Sequence, residues 1–325
     1  MNVKEIVISK LSMSGSEYIS GAELARQIGV SRNAVWKAIK VLENEGYIIE
    51  SVKAKGYRLS PQSNKLSAEI ISANLTAREL GKKIIILDKI DSTNNYAKEI
   101  ASKGAVNGTV VIADTQTAGK GRLGRSFVSP SGKGLYMSVI IRPKFSTDIA
   151  VLITSAVAVA SAEAVEKICG NNVQIKWVND LYMNGQKICG ILTEASMGME
   201  INSPDYIVIG IGINVRESIF DDELSKRVSS IETETHKIID RNELCALLLE
   251  RLEYYTDNLE NRCHLDEYKR RELLTGNIIT ANVGTEKITG RAIGVDENAN
   301  LIIESESGEI RNLSSGEANL VRIKN

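Results

Sequence analysis

The stretch Gly119-Lys120-Gly121-Arg122-Leu123-Gly124-Arg125 sets three glycines among three cations. Glycine lets a backbone approach an anion closely and reach φ > 0 conformations that turn successive N–H groups toward one point. From Thr115 to Thr147 there is no Asp or Glu, whereas Lys120, Arg122, Arg125, Lys133, Arg142 and Lys144 all fall inside. In a chain of formal net charge -1 this is a local positive field, and a phosphate or another acid group is the expected guest. Gly119, Gly121 and Gly124 satisfy the G-x-G-x-x-G spacing of dinucleotide sites. That fingerprint needs a helix opening at its end and an acid about 20 positions on. Here a loop-like run to Gly132 follows, and the next acid is Asp148. The bland alternative is a solvated basic loop.

Further groups of chemical interest stand at the ends of strand-like runs. Ile84 to Leu87 leads into Asp91-Ser92-Thr93-Asn94-Asn95, a polar turn before a helix from about Tyr96 to Ser102. Thr109 to Ala113 delivers Asp114, Gln116 and the glycine loop, and Leu135 to Ile141 carries the chain away. Val173 to Val178 ends at Asn179 and Asp180. The pair Asn184-Gly185 marks a type I′ hairpin, so Lys187 starts the next strand, where it is either solvated or functional. In Tyr206 to Val215, alternation puts Gly210, Gly212 and Asn214 on one face and Ile209, Ile211 and Ile213 on the other. A face without side chains suits a flat ligand or a closely packed helix.

These elements sit within 325 residues, 43% apolar and 25% charged, which is the composition of a soluble globular chain of two to three domains. Four scattered cysteines and two histidines argue against a zinc site or a disulfide framework and fit a cytoplasmic setting. The N-terminus has no signal-peptide pattern, and the apolar run Ile149 to Ala162 reads as a buried helix between Asp148 and Gly170, not a membrane span.

In front of the central unit, Val3 to Leu11 forms a helix, Ser20-Gly21-Ala22-Glu23 has capping-box spacing, and Gly29 closes the second helix. Ser31 caps a third helix whose Ala34, Val35, Ala38, Ile39 and Leu42 face inward. Arg32, Asn33, Trp36, Lys37 and Lys40 face outward, and a two-stranded wing with Lys53 and Lys55 near its tip follows. This is a helix-turn-helix pattern with net +3 to residue 60, suited to phosphate contacts; a solvated interaction domain is the alternative. Pro61 marks a polar boundary, and Leu66 to Leu75 reads as a helix. A long helix capped by Asp240 precedes five short strands, Ile278 to Val283, Lys287 to Val295, Leu301 to Glu304, Glu309 to Leu313 and Leu320 to Ile323, which suggest a small barrel.

Asp91-Ser92-Thr93-Asn94, Gln116 with Gly119-Lys120-Gly121-Arg122, Lys176-Trp177-Val178-Asn179-Asp180 with Lys187, and Gly210-Ile211-Gly212-Ile213-Asn214 resemble, in order, the signatures of biotin protein ligases. The N-terminal part is similar to the subset that also represses the biotin operon, so the resemblance covers essentially the whole chain. Lipoate ligases share the catalytic fold, but their glycine-rich Arg-Arg motif has no counterpart here. The resemblance implies an α/β (α+β) protein. Residues 1–62 would be a winged helix-turn-helix, 66–273 a mixed-sheet, class II synthetase-like ligase domain, and 276–325 an SH3-like β-barrel.

It further implies that biotin and ATP react to give biotinyl-5′-AMP, and that biotin passes to a lysine of the biotin carboxyl carrier protein. Ser92, Thr93, Asn94, Gln116, Gly119, Lys120, Gly121, Arg122 and Lys187 would bind biotin. Arg122, Arg125, Phe127, Asn179, Asp180 and Asn214 would serve the nucleotide. Arg122 and Lys187 would be catalytic, and Asp180 would approach the Mg²⁺ that accompanies ATP. Ser31, Arg32, Asn33, Trp36, Lys37, Lys40, Lys53 and Lys55 would meet operator DNA, with the adenylate promoting a homodimer. The family commonly reads Gly-Arg-Gly-Arg; Lys120 keeps the charge at the first basic position but loses the bidentate fork. A biotin sensor without ligase activity and a ligase with a non-regulatory N-terminal domain are the competing readings.

Overall fold

The computed structural model describes residues 2–197, 203–218 and 226–321. Its first unit contains helices α1 (Val3–Met13), α2 (Gly21–Ile28) and α3 (Arg32–Asn44), then the antiparallel hairpin β1 (Ile49–Val52) and β2 (Gly56–Leu59). Each helix start is capped: Asn2 and Glu5 form a capping box, Ser20 accepts from Glu23 N–H, and Ser31 accepts from Ala34 N–H. Val7, Leu11, Leu24, Val35, Ile39 and Leu42 fill the core of this unit. Ile70, from the next helix α4 (Ala68–Asn74), belongs to the same core, while its neighbour Ile71 is buried in the central one. One helix therefore serves two cores.

The central unit is built on a seven-stranded sheet of order β3-β4-β5-β9-β8-β7-β6. Strands β3 (Lys83–Ile90) and β4 (Thr109–Gln116) are parallel and are joined through α5 (Thr93–Ser102). The remaining pairs, made by β5 (Gly134–Ile141), β6 (Gln174–Lys176), β7 (Asp180–Met183), β8 (Gln186–Met197) and β9 (Pro204–Asn214), are antiparallel. Alternation along each strand divides the two faces. Val110, Ile112, Ile209 and Ile211 point to the main core, whereas Val111, Ile140 and Val208 meet Ala97 and Ala101 of α5. The cleft described below opens on the α5 face.

The main core is covered by α6 (Thr147–Ala150), α7 (Ile153–Cys169), α8 (Ile231–Thr235), α9 (Arg241–Asp257) and α10 (Leu265–Arg271). The apolar run expected to be one helix from Asp148 is two, separated at Val151 and Leu152, and Gly170 ends the second in the left-handed conformation. The segment Thr147–Cys169 is long and apolar enough to cross a membrane, but 67% of that window is buried inside the protein.

Strands β10 (Ile278–Val283), β11 (Glu286–Val295), β12 (Leu301–Glu304), β13 (Ile310–Leu313) and β14 (Glu317–Leu320) form an antiparallel sheet of order β13-β12-β11-β10-β14. The last strand begins at Glu317, earlier than its expected span of 320–323, of which Arg322 and Ile323 lie outside the described residues. Only Ala318 of this strand is buried, so it lacks the apolar signature of a strand.

Candidate active site

Helix α5 starts at Thr93, three residues before the expected start, so Thr93 and Asn94 occupy its first turn. They are buried and linked to β4 and β5. Thr93 donates N–H and hydroxyl to Gln116 Oε1 at 2.8 and 3.1 Å, and Gln116 Nε2 donates to Ser129 Oγ at 2.9 Å. The Ser138 hydroxyl lies 2.8 Å from Thr93 Oγ1 and 2.6 Å from Asn94 Oδ1. Asn94 Nδ2 donates to Glu194 at 2.8 Å, and Glu194 pairs with Lys98 at 2.7 Å. Burial acts to raise the Glu194 carboxyl, but these hydrogen bonds outweigh it and hold it below its usual value. Ser92 is buried at the helix N-cap position yet makes no capping bond, leaving its hydroxyl on the cleft wall. One end of the cleft is thus a fixed set of hydroxyl and amide groups beside Met137, Ile191, Leu192 and Ile211.

The other end is charged. The loop after Gln116 folds back on itself through Phe127 N–H to Gly119 O (2.8 Å) and Gly121 N–H to Arg125 O (2.7 Å). Its three glycines do different things. Gly124 takes φ 75°, beside the non-glycine Leu123 at φ 55°. Gly119 is not left-handed, but a Cβ there would strike the Phe127 carbonyl, and Gly121 has room for one. The left-handed freedom of glycine is therefore used at one of the three, and close approach at another. Lys120 Nζ donates to Asn95 Oδ1 at 2.6 Å and Arg122 Nη1 to Asn179 Oδ1 at 3.2 Å. Lys187 pairs with Asp180 at 2.7 Å, and Arg125 reaches across to form an ion pair with Glu317 of β14. Burial draws the Arg122 guanidinium below its usual pKa, and Arg125 holds the Glu317 carboxyl below its own.

The floor between the two ends is the glycine face of β9. A Cβ at Gly210 would collide with the Asn94 amide, and one at Gly212 would come within 2.6 Å of the Phe127 ring. The packed-helix alternative holds at Gly210, where the first turn of α5 lies, while at Gly212 the protein's own Phe127 ring covers the face. Phe127 also meets Tyr136 edge-on, with centroids 6.3 Å apart.

The structure gathers Ser92, Thr93, Asn94, Gln116, Lys120, Gly121, Arg122, Arg125, Phe127, Asn179, Asp180 and Lys187 around one cleft. Gly119 lies behind the wall, and Asn214 is turned away, donating to Ser229 O at 3.1 Å. Sequence reasoning missed Ser138, Glu194, Lys176, Glu317 and Asn319 as site residues. Lys176 stood within a motif already singled out, whereas Glu317 and Asn319 lie just ahead of the strand expected at 320–323 and were left outside it. Lys176 donates to Asn319 Oδ1 at 2.8 Å. Asp180 and Glu317 are the two carboxylates lining the cleft, and no cluster of metal-ligating side chains occurs among the described residues. This donor set fits a Mg²⁺ carried in on a polyphosphate, because Mg²⁺ keeps several waters and needs few protein ligands.

On the N-terminal unit, Arg32, Asn33, Trp36 and Lys37 are exposed on α3, Trp36 at 49%. Lys40 is exposed but pairs with Glu43 at 2.7 Å, and the Ser31 hydroxyl is engaged by its own helix. Lys53 and Lys55 flank the wing turn, where Ala54 adopts φ 66°.

The fold and cleft define a protein with a helix-turn-helix head, an α/β domain bearing a cationic cleft, and a small β domain that supplies part of the cleft wall. Family models match in the same order: an HTH domain over 5–58, the Biotin/lipoate A/B protein ligase family over 86–214, and the Biotin protein ligase C terminal domain over 275–321. The chain is 36% identical to the Bifunctional ligase/repressor BirA of Bacillus spizizenii, covering 94% of this chain and 95% of that one. Against the Escherichia coli protein of the same description it is 29% identical, covering 95% and 94%. The biotin protein ligase from Aquifex aeolicus in complex with biotin and ATP superposes with a TM-score of 0.64 at 30% identity, covering 74% of this chain and all of that one. The chain belongs to the biotin protein ligase family.

Proposed function

We propose that this protein is an ATP-dependent biotin protein ligase that is also a DNA-binding repressor responding to its own adenylate. A biotin carboxylate oxygen attacks the α-phosphorus of ATP, the bond to the β-phosphoryl group breaks, and pyrophosphate leaves. The ε-amine of a carrier lysine then attacks the acyl carbon of biotinyl-5′-AMP; an amide forms and AMP departs. Neither step needs a nucleophile from the enzyme. Both need the reactants aligned and their oxyanions neutralised.

The observation that carries this reading is one cleft with two chemically different ends. The hydroxyl and amide groups of Ser92, Thr93, Asn94 and Gln116 suit a neutral heterocycle that both donates and accepts. Arg122 and Lys187 suit the carboxylate and the α-phosphate, with Lys120, Gly121 and Arg125 closing over them. Phe127, Asn179 and Asp180 serve the nucleotide side, where Asp180 would hold the Mg²⁺ that accompanies ATP. The acceptor is the biotin carboxyl carrier subunit of a biotin-dependent carboxylase, and the setting is the cytoplasm. Arg32, Asn33, Trp36 and Lys37, with Lys53 and Lys55 on the wing, face operator DNA as a homodimer forms on adenylate binding.

Incubation with ATP, Mg²⁺, biotin and a carrier domain is expected to biotinylate one carrier lysine; absence of both adenylate and transfer would refute the ligase role. A gel shift on a biotin-gene promoter, with and without adenylate, tests the repressor role independently.

A further inference from the structure

Among the described residues five cations line the cleft, and they are tethered in two chemically different ways. Arg125 and Lys187 rest on the carboxylates of Glu317 and Asp180. Lys120, Arg122 and Lys176 rest instead on the side-chain carbonyls of Asn95, Asn179 and Asn319, at 2.6, 3.2 and 2.8 Å. A carboxylate fixes a cation but cancels its charge. An amide oxygen fixes it and leaves the charge available to an incoming anion. Among the described residues two carboxylates stand on the wall against these five cations, a surplus of three positive charges.

Lys176 is the informative member. It is partly buried, its ammonium lies 5.8 Å from the Tyr182 ring centroid, and burial draws it below the usual lysine pKa. The carboxylates near it, Asp180 and Glu317, are already engaged by Lys187 and Arg125. A partly desolvated cation on a neutral partner is costly until an anion arrives. Its tether, Asn319, is exposed, so Lys176 stands toward solvent, opposite the buried end formed by Ser92, Thr93 and Asn94. A leaving group that must depart into water belongs on that side.

We propose that Lys176 is a catalytic residue that binds the β- and γ-phosphoryl oxygens of ATP and the departing pyrophosphate, and that Asn319 of the C-terminal sheet is the positioning residue that holds it there with its charge uncancelled. This rests on the ligase reading above. In the adenylation step the electron pair of the breaking phosphorus–oxygen bond goes to the pyrophosphate oxygen, whose negative charge Lys176 meets. No proton transfer is required. The second half-reaction contains no pyrophosphate and does not use Lys176.

The test separates the half-reactions in the full-length protein. Asn319→Asp places a carboxylate where the amide was and cancels Lys176; Lys176→Met removes the charge; Asn319→Gln keeps the amide carbonyl. Biotin-dependent ATP–pyrophosphate exchange reports adenylation, and single-turnover transfer from preformed biotinyl-5′-AMP to a carrier domain reports the second step. Asn319→Asp and Lys176→Met are expected to raise KM for ATP and for pyrophosphate about tenfold, with transfer within about twofold of the parent and partial recovery in Asn319→Gln. Unchanged KM values in both variants, or an equal loss in transfer, would overturn the assignment. Failure of exchange in the unmodified protein would instead refute the ligase reading itself.

Discussion

Arg122 stands in the cleft on one neutral hydrogen bond, 3.2 Å from Asn179 Oδ1, with its guanidinium half out of water. A bound acyl phosphate would supply the charged partner it lacks, and such charge-assisted bonds contribute about 1.5–3 kcal/mol. Arg122→Ala is therefore expected to speed dissociation of biotinyl-5′-AMP by about tenfold or more, measured by chase with unlabelled adenylate. An unchanged rate would remove the role. Arg122→Lys should fall between, because lysine keeps the charge and loses the fork. Single residues were legible in the sequence where chemistry and neighbours coincided, as in the cationic loop and the run Lys176 to Asp180. They were not legible where the role depends on a partner far along the chain. Nothing around Glu317 announces that its carboxylate will meet Arg125, 192 positions away.

Helix and strand boundaries failed where polar side chains imitate turns. Thr93 and Asn94 read as loop, yet they begin α5 because their side chains bond sideways to Gln116, Ser138 and Glu194 instead of competing for the helix backbone. Periodicity located α3 and most of the other strands, though not the last, since buried faces at spacings of 2 and 3.6 leave a clear pattern. Packing between α7 and α10 creates a pH sensitivity that no motif signals. His264 is fully buried, with Nε2 2.9 Å from Ser155 Oγ, whose own hydrogen goes to Leu152 O. Nε2 must therefore donate, leaving Nδ1 as a lone pair without a partner. Burial, aided by Arg262, draws the imidazole down to about 4 from an ordinary value of 6.5. The unfolded chain takes up a proton in this interval that the folded one refuses. Stability is then full above about pH 6.5 and falls as pH drops toward about 4, by about 3 kcal/mol at most. Thermal melts across that range should show the decline, and His264→Gln should flatten it; an identical slope in the variant would exclude this histidine as the cause.

At the scale of the whole molecule, the segment that follows the head is tied to the central unit by polar contacts, several of them buried. Arg241, 3% exposed, donates to Asp114 at 3.0 Å, to Gly134 O at 2.8 Å, and to the Asn64 carbonyl. Asn64 Nδ2 donates to Gly132 O at 2.8 Å, and Asn242 holds Ser67 N–H and Lys65 O at 2.8 and 3.0 Å. The segment after the wing, which reads in sequence as a polar boundary, is thus bonded to the far stem of the cationic loop. Deleting residues 2–64 should abolish operator binding and leave adenylate formation in place. It should also lower Tm and hasten adenylate loss, because Ile70 loses its core and Gly132 loses Asn64. Gel shift, exchange assay and calorimetry check the three parts; a truncated protein unable to make adenylate would mean that the head supports the chemistry directly.

Helix α4, with Ile70 in one core and Ile71 in the other, fastens the head to the enzyme through side-chain packing. If the proposed dimer sits on one operator, this fastening constrains the separation of its α3 helices, and the DNA must match it. Helix-turn-helix pairs read half-sites about one helical turn, or a multiple of it, apart. Inserting about 5 base pairs between the half-sites, roughly half a turn, should abolish binding, while inserting about 10 should not restore it, because a head fastened in this way cannot stretch by a full turn. In the proposed repressor, operator spacing would thus be set in part by the two neighbouring isoleucines that fasten the head to the enzyme.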